Sequence, residues 1–322
     1  MLIILTKPCG FHPFNSEWLK YYAGKITGKH RGPEMVAQSL SRGLTELGVP
    51  HRLNPFFVPF FIPSDVKPKK NFTVHVVSGA KTLQWALKLK QKGKIARLIA
   101  GPAISVVPDD HNSILKNPLI ETIVFPGQWT KDFFSSIDPY FKNKIEVWPA
   151  GVRANVAVSS RKNSGGIVYF KFTPLEIRKA IIHELATHDI SYKTFEYGNF
   201  KQADYFAALE KADWMIHLSP SESQGIALQE AWIRDVPTLV WNPGVWKYQA
   251  TDGKKYSWND ALISAPYLTA ESGMTFANAW DFKTAFEKFA GQLQTFTPRA
   301  YCMKTLTDMQ STKRFLEIIA QK

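Results

Sequence analysis

From the N-terminus to Trp241, short apolar runs alternate with longer amphipathic stretches. That is the pattern of strands and helices wound into largely parallel sheets. Ile3 to Lys7 predicts the first strand. Gly32-Pro33-Glu34 opens a helix whose apolar positions Met35, Leu40, Leu44 and Leu47 keep helical spacing until Gly48 stops it. Strands are expected at Phe72 to Val77, Arg97 to Ala100, Thr122 to Phe125 and Ile145 to Trp148. Helices are expected at Thr82 to Lys92 and Thr130 to Phe141.

Pro149-Ala150-Gly151-Val152-Arg153 and the polar run Ser159 to Gly166 carry no hydrophobic period, which places a domain boundary between residues 155 and 156. The alternation restarts with strand Ile167 to Lys171. Thr173-Pro174-Leu175-Glu176 then spells a capping box with proline at the first helical position, predicting a helix to Thr187. Strand Tyr192 to Tyr197, helix Lys201 to Lys211, strand Trp214 to Leu218, helix Gln224 to Arg234 and strand Thr238 to Trp241 follow. The pattern predicts an α/β chain of two Rossmann-like domains, 1–155 and 156–322, facing across a cleft. Beyond Trp241 the period fades until Leu306 to Ile319, read as a terminal helix that packs back on the first domain.

Lys and Arg outnumber Asp and Glu by 40 to 27, a formal charge of +13 that favours an anionic partner such as a nucleoside diphosphate, an anionic membrane surface or nucleic acid. No nucleic-acid-binding motif supports the last. Cys9 and Cys302 have neither disulfide-framework nor metal-ligand spacing, and suit a reducing cytoplasm. The first residues lack the basic region and apolar length of a signal peptide. No apolar run approaches the about 18 to 20 residues that span a bilayer. The expectation is therefore a cytoplasmic protein, soluble or peripheral at the inner face of the membrane.

Candidate chemistry concentrates after strand Trp214 to Leu218, where Ser219-Pro220-Ser221-Glu222-Ser223-Gln224-Gly225 sits at a strand's carboxyl end, the usual ligand edge of an open parallel sheet. Ser221 and Gln224 have capping-box spacing, and Gly225 lets a ligand approach the backbone. If Gln224 and Glu230 are both helical, they lie about 9 Å apart along the axis, comparable with the reach from a donor sugar to its ribose. One carboxylate at the helix mouth, Glu222, and one about two turns in, Glu230, would accept hydrogen bonds from paired hydroxyls. Lys171 ends the preceding domain-opening strand, where a cation would stabilise a diphosphate leaving group.

The stretch Ser219 to Leu239, with Glu222 and Glu230 seven residues apart by count of those between, Glu230-Ala231 and Val236-Pro237-Thr238, resembles the Glu-x7-Glu region of GT-B glycosyltransferases of the retaining, family-four type. The helix at Gly32-Pro33 and the Pro149-Ala150-Gly151-Val152 segment fall in the order that resemblance expects. It implies transfer of a sugar from a nucleoside diphosphate sugar, without a metal or other cofactor, to an acceptor such as a glycan or lipid-linked sugar. It also implies that Glu222 contacts the transferred sugar with Lys171 as its catalytic companion, that Glu230 binds the ribose, and that Ser221, Gln224, Gly225, Ile226, Ala227 and Leu228 hold sugar and phosphate. A non-catalytic nucleotide- or sugar-binding protein on the same fold is the alternative.

Two departures stand out. Family members offer an Arg and a Lys several residues apart near Lys171, where this chain has Arg178 and Lys179 inside the helix, and Gly151-Val152-Arg153 replaces the usual Gly-Val-Asp. In the first half, Lys25, Lys29, His30, Arg31 and Gly32 form a basic loop suited to phosphate or acceptor. Pro108-Asp109-Asp110-His111 reaches an acceptor or is simply a turn. His183-Glu184-Leu185-Ala186-Thr187-His188 is one residue too long for a zinc-protease signature, which rotates the second histidine off the first's face.

Overall fold

The computed structural model describes residues 1–7, 32–54, 70–159 and 165–321. The chain divides into two compact units, Met1–Gly151 with Asp308–Lys322, and Val152–Thr307. The division falls a few residues before position 155 for a physical reason. Val152 bridges Thr307, and its N–H donates to the Leu306 carbonyl at 2.9 Å, both within the second unit.

In the first unit β1 (Leu2–Leu5), β2 (His51–Leu53), β3 (Thr73–Ser78), β4 (Arg97–Ala103), β5 (Thr122–Phe125) and β6 (Ile145–Val147) form a sheet in the order β2-β1-β3-β4-β5-β6. Every pairing is parallel. Leu2–Leu5 is buried at each position, as a strand covered on both faces must be. The connecting helices are α1 (Gly32–Glu46), α2 (Ala80–Gln91) and α3 (Gln128–Ile137). The Thr130 to Phe141 expectation breaks at Asp138, whose carboxylate accepts from Tyr140 N at 2.9 Å and starts a separate 3-10 turn.

The terminal segment of this unit lies against α1, where Gly43 removes the side chain that would meet Thr312 and the Asp308 carbonyl. Arg42 grips the Asp308 carboxylate through two nitrogens. Trp148 Nε1 donates to the Ser311 carbonyl at 3.0 Å, and Phe315 stacks on His75 at 4.8 Å between ring centroids. His75 is fully buried with Nε2 against the Gly101 carbonyl at 2.8 Å. Burial outweighs that bond and pushes the imidazole down to about 4.

The second unit runs β7 (Gly166–Phe170), α4 (Leu175–Thr187), β8 (Tyr192–Glu196), α5 (Gln202–Leu209), β9 (Trp214–Leu218), α6 (Ile226–Trp232) and β10 (Thr238–Trp241). There follow β11 (Val245–Gln249), β12 (Lys255–Asn259), β13 (Gly273–Phe276), α7 (Phe282–Gly291) and α8 (Pro298–Thr305), before α9 (Asp308–Ala320) returns to the first unit. Its sheet, ordered β13-β10-β9-β7-β8, is parallel throughout. Strand residues alternate between two apolar layers: Ile167, Tyr169 and Met215 join Tyr205, Leu228 and Trp232, whereas Val168, Phe170 and Ile216 join Ile181, Leu239 and Phe289.

Neither predicted capping box forms. Pro174 takes the cap position of α4, because the Thr173 hydroxyl donates instead to the Leu218 carbonyl of β9. Gln224 is not helical: Gly225, at φ +63°, caps α6, which begins at Ile226. The axial spacing argued for Gln224 and Glu230 therefore does not apply. The segment without period beyond Trp241 holds an antiparallel hairpin, β11–β12, in which Trp246 faces Trp258 and Tyr248 faces Tyr256.

Candidate functional site

β7 and β9 are neighbours in register, with Tyr169 opposite His217 and Phe170 opposite Leu218. Both leave the sheet at the same carboxyl edge, so Lys171 and the Ser219–Gly225 loop emerge side by side. Lys171 Nζ donates to Glu222 Oε2 at 2.7 Å, while His217 Nε2 lies 3.2 Å from Oε1. The loop is anchored where Glu222 N donates to the Ile263 carbonyl at 2.8 Å and the Ser219 hydroxyl to the Ser221 carbonyl at 2.9 Å.

The Glu222 side chain is only 7% exposed and that of Lys171 20%. Burial alone raises a carboxyl's pKa, but here the Lys171 charge and the His217 hydrogen bond together outweigh it and push Glu222 down to about 2. The site thus holds a buried, ionised carboxylate. Lys171 Nζ also sits 5.0 Å above the Tyr197 ring, and the fully buried His217 ring stacks on Tyr169 at 5.2 Å and 14°. Phe172, next to Lys171, has φ +54°, which is rare for a bulky residue, and is 74% exposed beside Tyr197.

Glu230 lies on α6 and is buried. Its Oε1 accepts from Gln202 Nε2 at 2.9 Å, and Arg234 donates to its carbonyl at 3.1 Å with the guanidinium 4.1 Å over Phe206. Tyr205 donates its hydroxyl to the Ala227 carbonyl at 2.9 Å, tying α6 to α5. Of the remaining motif residues, Gln224 and Leu228 are buried, and Ser221, Ile226 and Ala227 are half-buried. Gln224 hydrogen-bonds the Tyr267 side chain, and Leu228 belongs to the core.

Arg178, one of two candidates to complete the phosphate pair, lies 4.1 Å over the Phe170 ring and bonds Glu196 at 2.5 Å; Lys179 is exposed. Arg153 is exposed. In the first unit Gly32 opens α1, whereas Arg31 and the basic loop before it lie outside the described residues. His111 is exposed in a turn whose Asp110 carboxylate accepts from Val106 N and Val107 N at 2.6 and 3.0 Å. His188 caps the end of α4 and meets Glu184 at 2.9 Å. Among the described residues no group of three His, Cys, Asp or Glu could hold a metal ion, and no helix is long and apolar enough to cross a membrane.

Sequence reasoning missed His217, Tyr169 and Tyr197. A histidine in Trp-Met-Ile-His-Leu reads as one polar residue in an apolar strand; the β7–β9 register sets it against Tyr169, and the loop anchored on Ile263 turns Glu222 back onto it.

No protein-family model matches the chain, and no curated protein matches it. Solved structures do. Sucrose-phosphate synthase from Thermosynechococcus elongatus is similar over 99% of this chain and 98% of that one, with 10% identity and a TM-score of 0.60. Anabaena HepE, solved in complex with UDP and glucose, matches over 100% of both chains with 11% identity and a TM-score of 0.56. The lipopolysaccharide outer core galactosyltransferase WaaB, in its apo form, matches over 100% of this chain and 99% of that one, with 11% identity and a TM-score of 0.55. Two parallel α/β units and these neighbours define the class: the chain has the GT-B fold, built of two Rossmann-like domains.

Proposed function

We propose that this protein is a retaining glycosyltransferase that moves a sugar from a nucleoside diphosphate sugar to the hydroxyl of a glycan or lipid-linked acceptor. The observation that carries the reading is the buried Glu222 carboxylate held ionised by Lys171 and His217 at the carboxyl edge of the second unit's sheet. A carboxylate without protons only accepts hydrogen bonds, which suits it to sugar hydroxyls. Lys171, whose side chain is partly open to solvent, meets the negative charge that builds on a departing diphosphate. Glu230, oriented by Gln202, accepts from the ribose. HepE, of the same fold, was solved with UDP and glucose, which supports this donor class.

The test is a thermal-shift screen against UDP, GDP, ADP and their sugars, followed by transfer from the labelled donor. Glu230→Ala should weaken donor binding, and Glu222→Gln should chiefly lower turnover. Unchanged transfer by both variants would refute the assignment. A nucleotide shift with no sugar release, indifferent to Glu222→Gln, would make the protein a binding module instead.

A further inference from the structure

Among the described residues, Glu222 meets basic side chains of two kinds. Lys171 at 2.7 Å carries a fixed charge, and His217 at 3.2 Å carries one only when protonated. The imidazole has one nitrogen on the carboxylate, while Nδ1 is buried without a hydrogen-bond partner, a vacant position for a second proton. Among the described residues, Tyr169 of β7 stacks on this ring and Glu222 from the loop bonds it, with Lys171 just after β7 on the same carboxylate; behind them Tyr197 after β8 and Glu230 of α6 act on Tyr169, and Glu230 and Arg234 act on Tyr205 of α5. Burial pushes both Tyr169 and Tyr205 up, so they stay neutral; it lowers Arg234, against the opposing charge of Glu230, whose backbone carbonyl Arg234 bonds. Among these groups His217 is the one whose type changes charge near neutrality.

The donor-site reading assigns Lys171 to the diphosphate, and the following step rests on it. A diphosphate draws Nζ from Glu222 and adds negative charge at the same edge. A carboxylate this buried is costly to leave without a cation. We propose that His217 is a positioning residue that takes up a proton as the diphosphate captures Lys171, keeping Glu222 ionised and aimed at the donor sugar. The proton comes from the buffer and adds to Nδ1; no bond in the donor changes. The Lys171–Glu222 pair is thus a latch that an anionic ligand exchanges, with His217 as the replacement partner.

The test is calorimetric titration of UDP, GDP and ADP into the native chain and His217→Gln, in two buffers of different ionisation enthalpy near neutral pH. Gln retains an N–H toward Glu222 but cannot be charged, and comparing the two chains cancels protonation of the nucleotide itself. The native chain should take up as much as one proton more than His217→Gln. Its affinity should then fall with rising pH, relative to the variant, by up to about tenfold per pH unit. Glu222→Gln should abolish the extra uptake as well.

If a nucleotide binds with equal uptake in both chains, the proposal falls and the donor site stands. If no nucleotide binds, the donor reading falls and the proposal with it. Should His217→Gln fail to fold, histidine NMR of the native chain decides: a His217 ring signal that moves to the imidazolium position on binding supports the exchange, and an unmoved one overturns it.

Discussion

Lys171→Met removes the nearest positive charge from a carboxylate that stays buried. The Glu222 carboxyl lies near 2 in the folded protein against an ordinary 4.5. At about 1.4 kcal/mol per unit, that difference is worth about 3 kcal/mol. The independent expectation for breaking a buried pair by deleting one partner is about 3–5 kcal/mol. Exposures of 7% and 20% leave little room for solvent screening. Because the folded pKa is depressed, the contribution is whole above the unfolded value of 4.5 and is lost as pH falls through about 2. Hydrogen exchange read peptide by peptide separates this unit from the other. At neutral pH, Lys171→Met should speed exchange of β7 and β9 amides about a hundredfold, where exchange proceeds through opening of the unit. Adding Glu222→Gln should restore most of the protection, since removing both charges leaves nothing uncompensated. A change below about fivefold, or no recovery in the double variant, would refute the reasoning.

Two further outcomes concern the first unit. His75 is held down to about 4 by burial, so between its ordinary 6.5 and 4 the unfolded chain binds a proton that the folded chain refuses. Stability present above pH 6.5 should therefore drop by about 3 kcal/mol as pH falls to 4, and His75→Phe should flatten that slope in urea titrations. Gly43→Ala places a methyl group against Thr312 and the Asp308 carbonyl and should destabilise the unit by about 1–3 kcal/mol, loosening α9 to limited proteolysis. Gly291→Ala, where a Cβ meets nothing within 4 Å, should not destabilise, and serves as the control.

The strands Thr122–Phe125, Trp214–Leu218 and Thr238–Trp241 stand at the residues their apolar runs predict. These runs are continuous, and what ends them is local turn chemistry. Boundaries failed where a side chain had a distant alternative. Thr173 gave up its cap to bond Leu218, and Gly225 delayed α6 beyond Gln224. β13 went unseen because four residues starting with glycine carry no period; its place beside β10 rests on pairing with Thr238–Trp241. The glutamates were legible through the Ser219 to Leu239 motif and Lys171 through its place at a strand end, whereas His217 beside Glu222 and Gln202 beside Glu230 were not.

Periodicities of two and 3.6 residues are local, so the chain by itself determined the alternation of strands and helices, the parallel α/β class and the position of Glu222 on a loop after a buried strand. The charge state and surroundings of that carboxylate depend on Lys171, 51 residues earlier, and on a loop held by Ile263 that folds Glu222 back onto His217. Electrostatics and desolvation act through space at a few ångströms. Only the tertiary structure could decide that this acid is a buried anion held between a lysine and an imidazole.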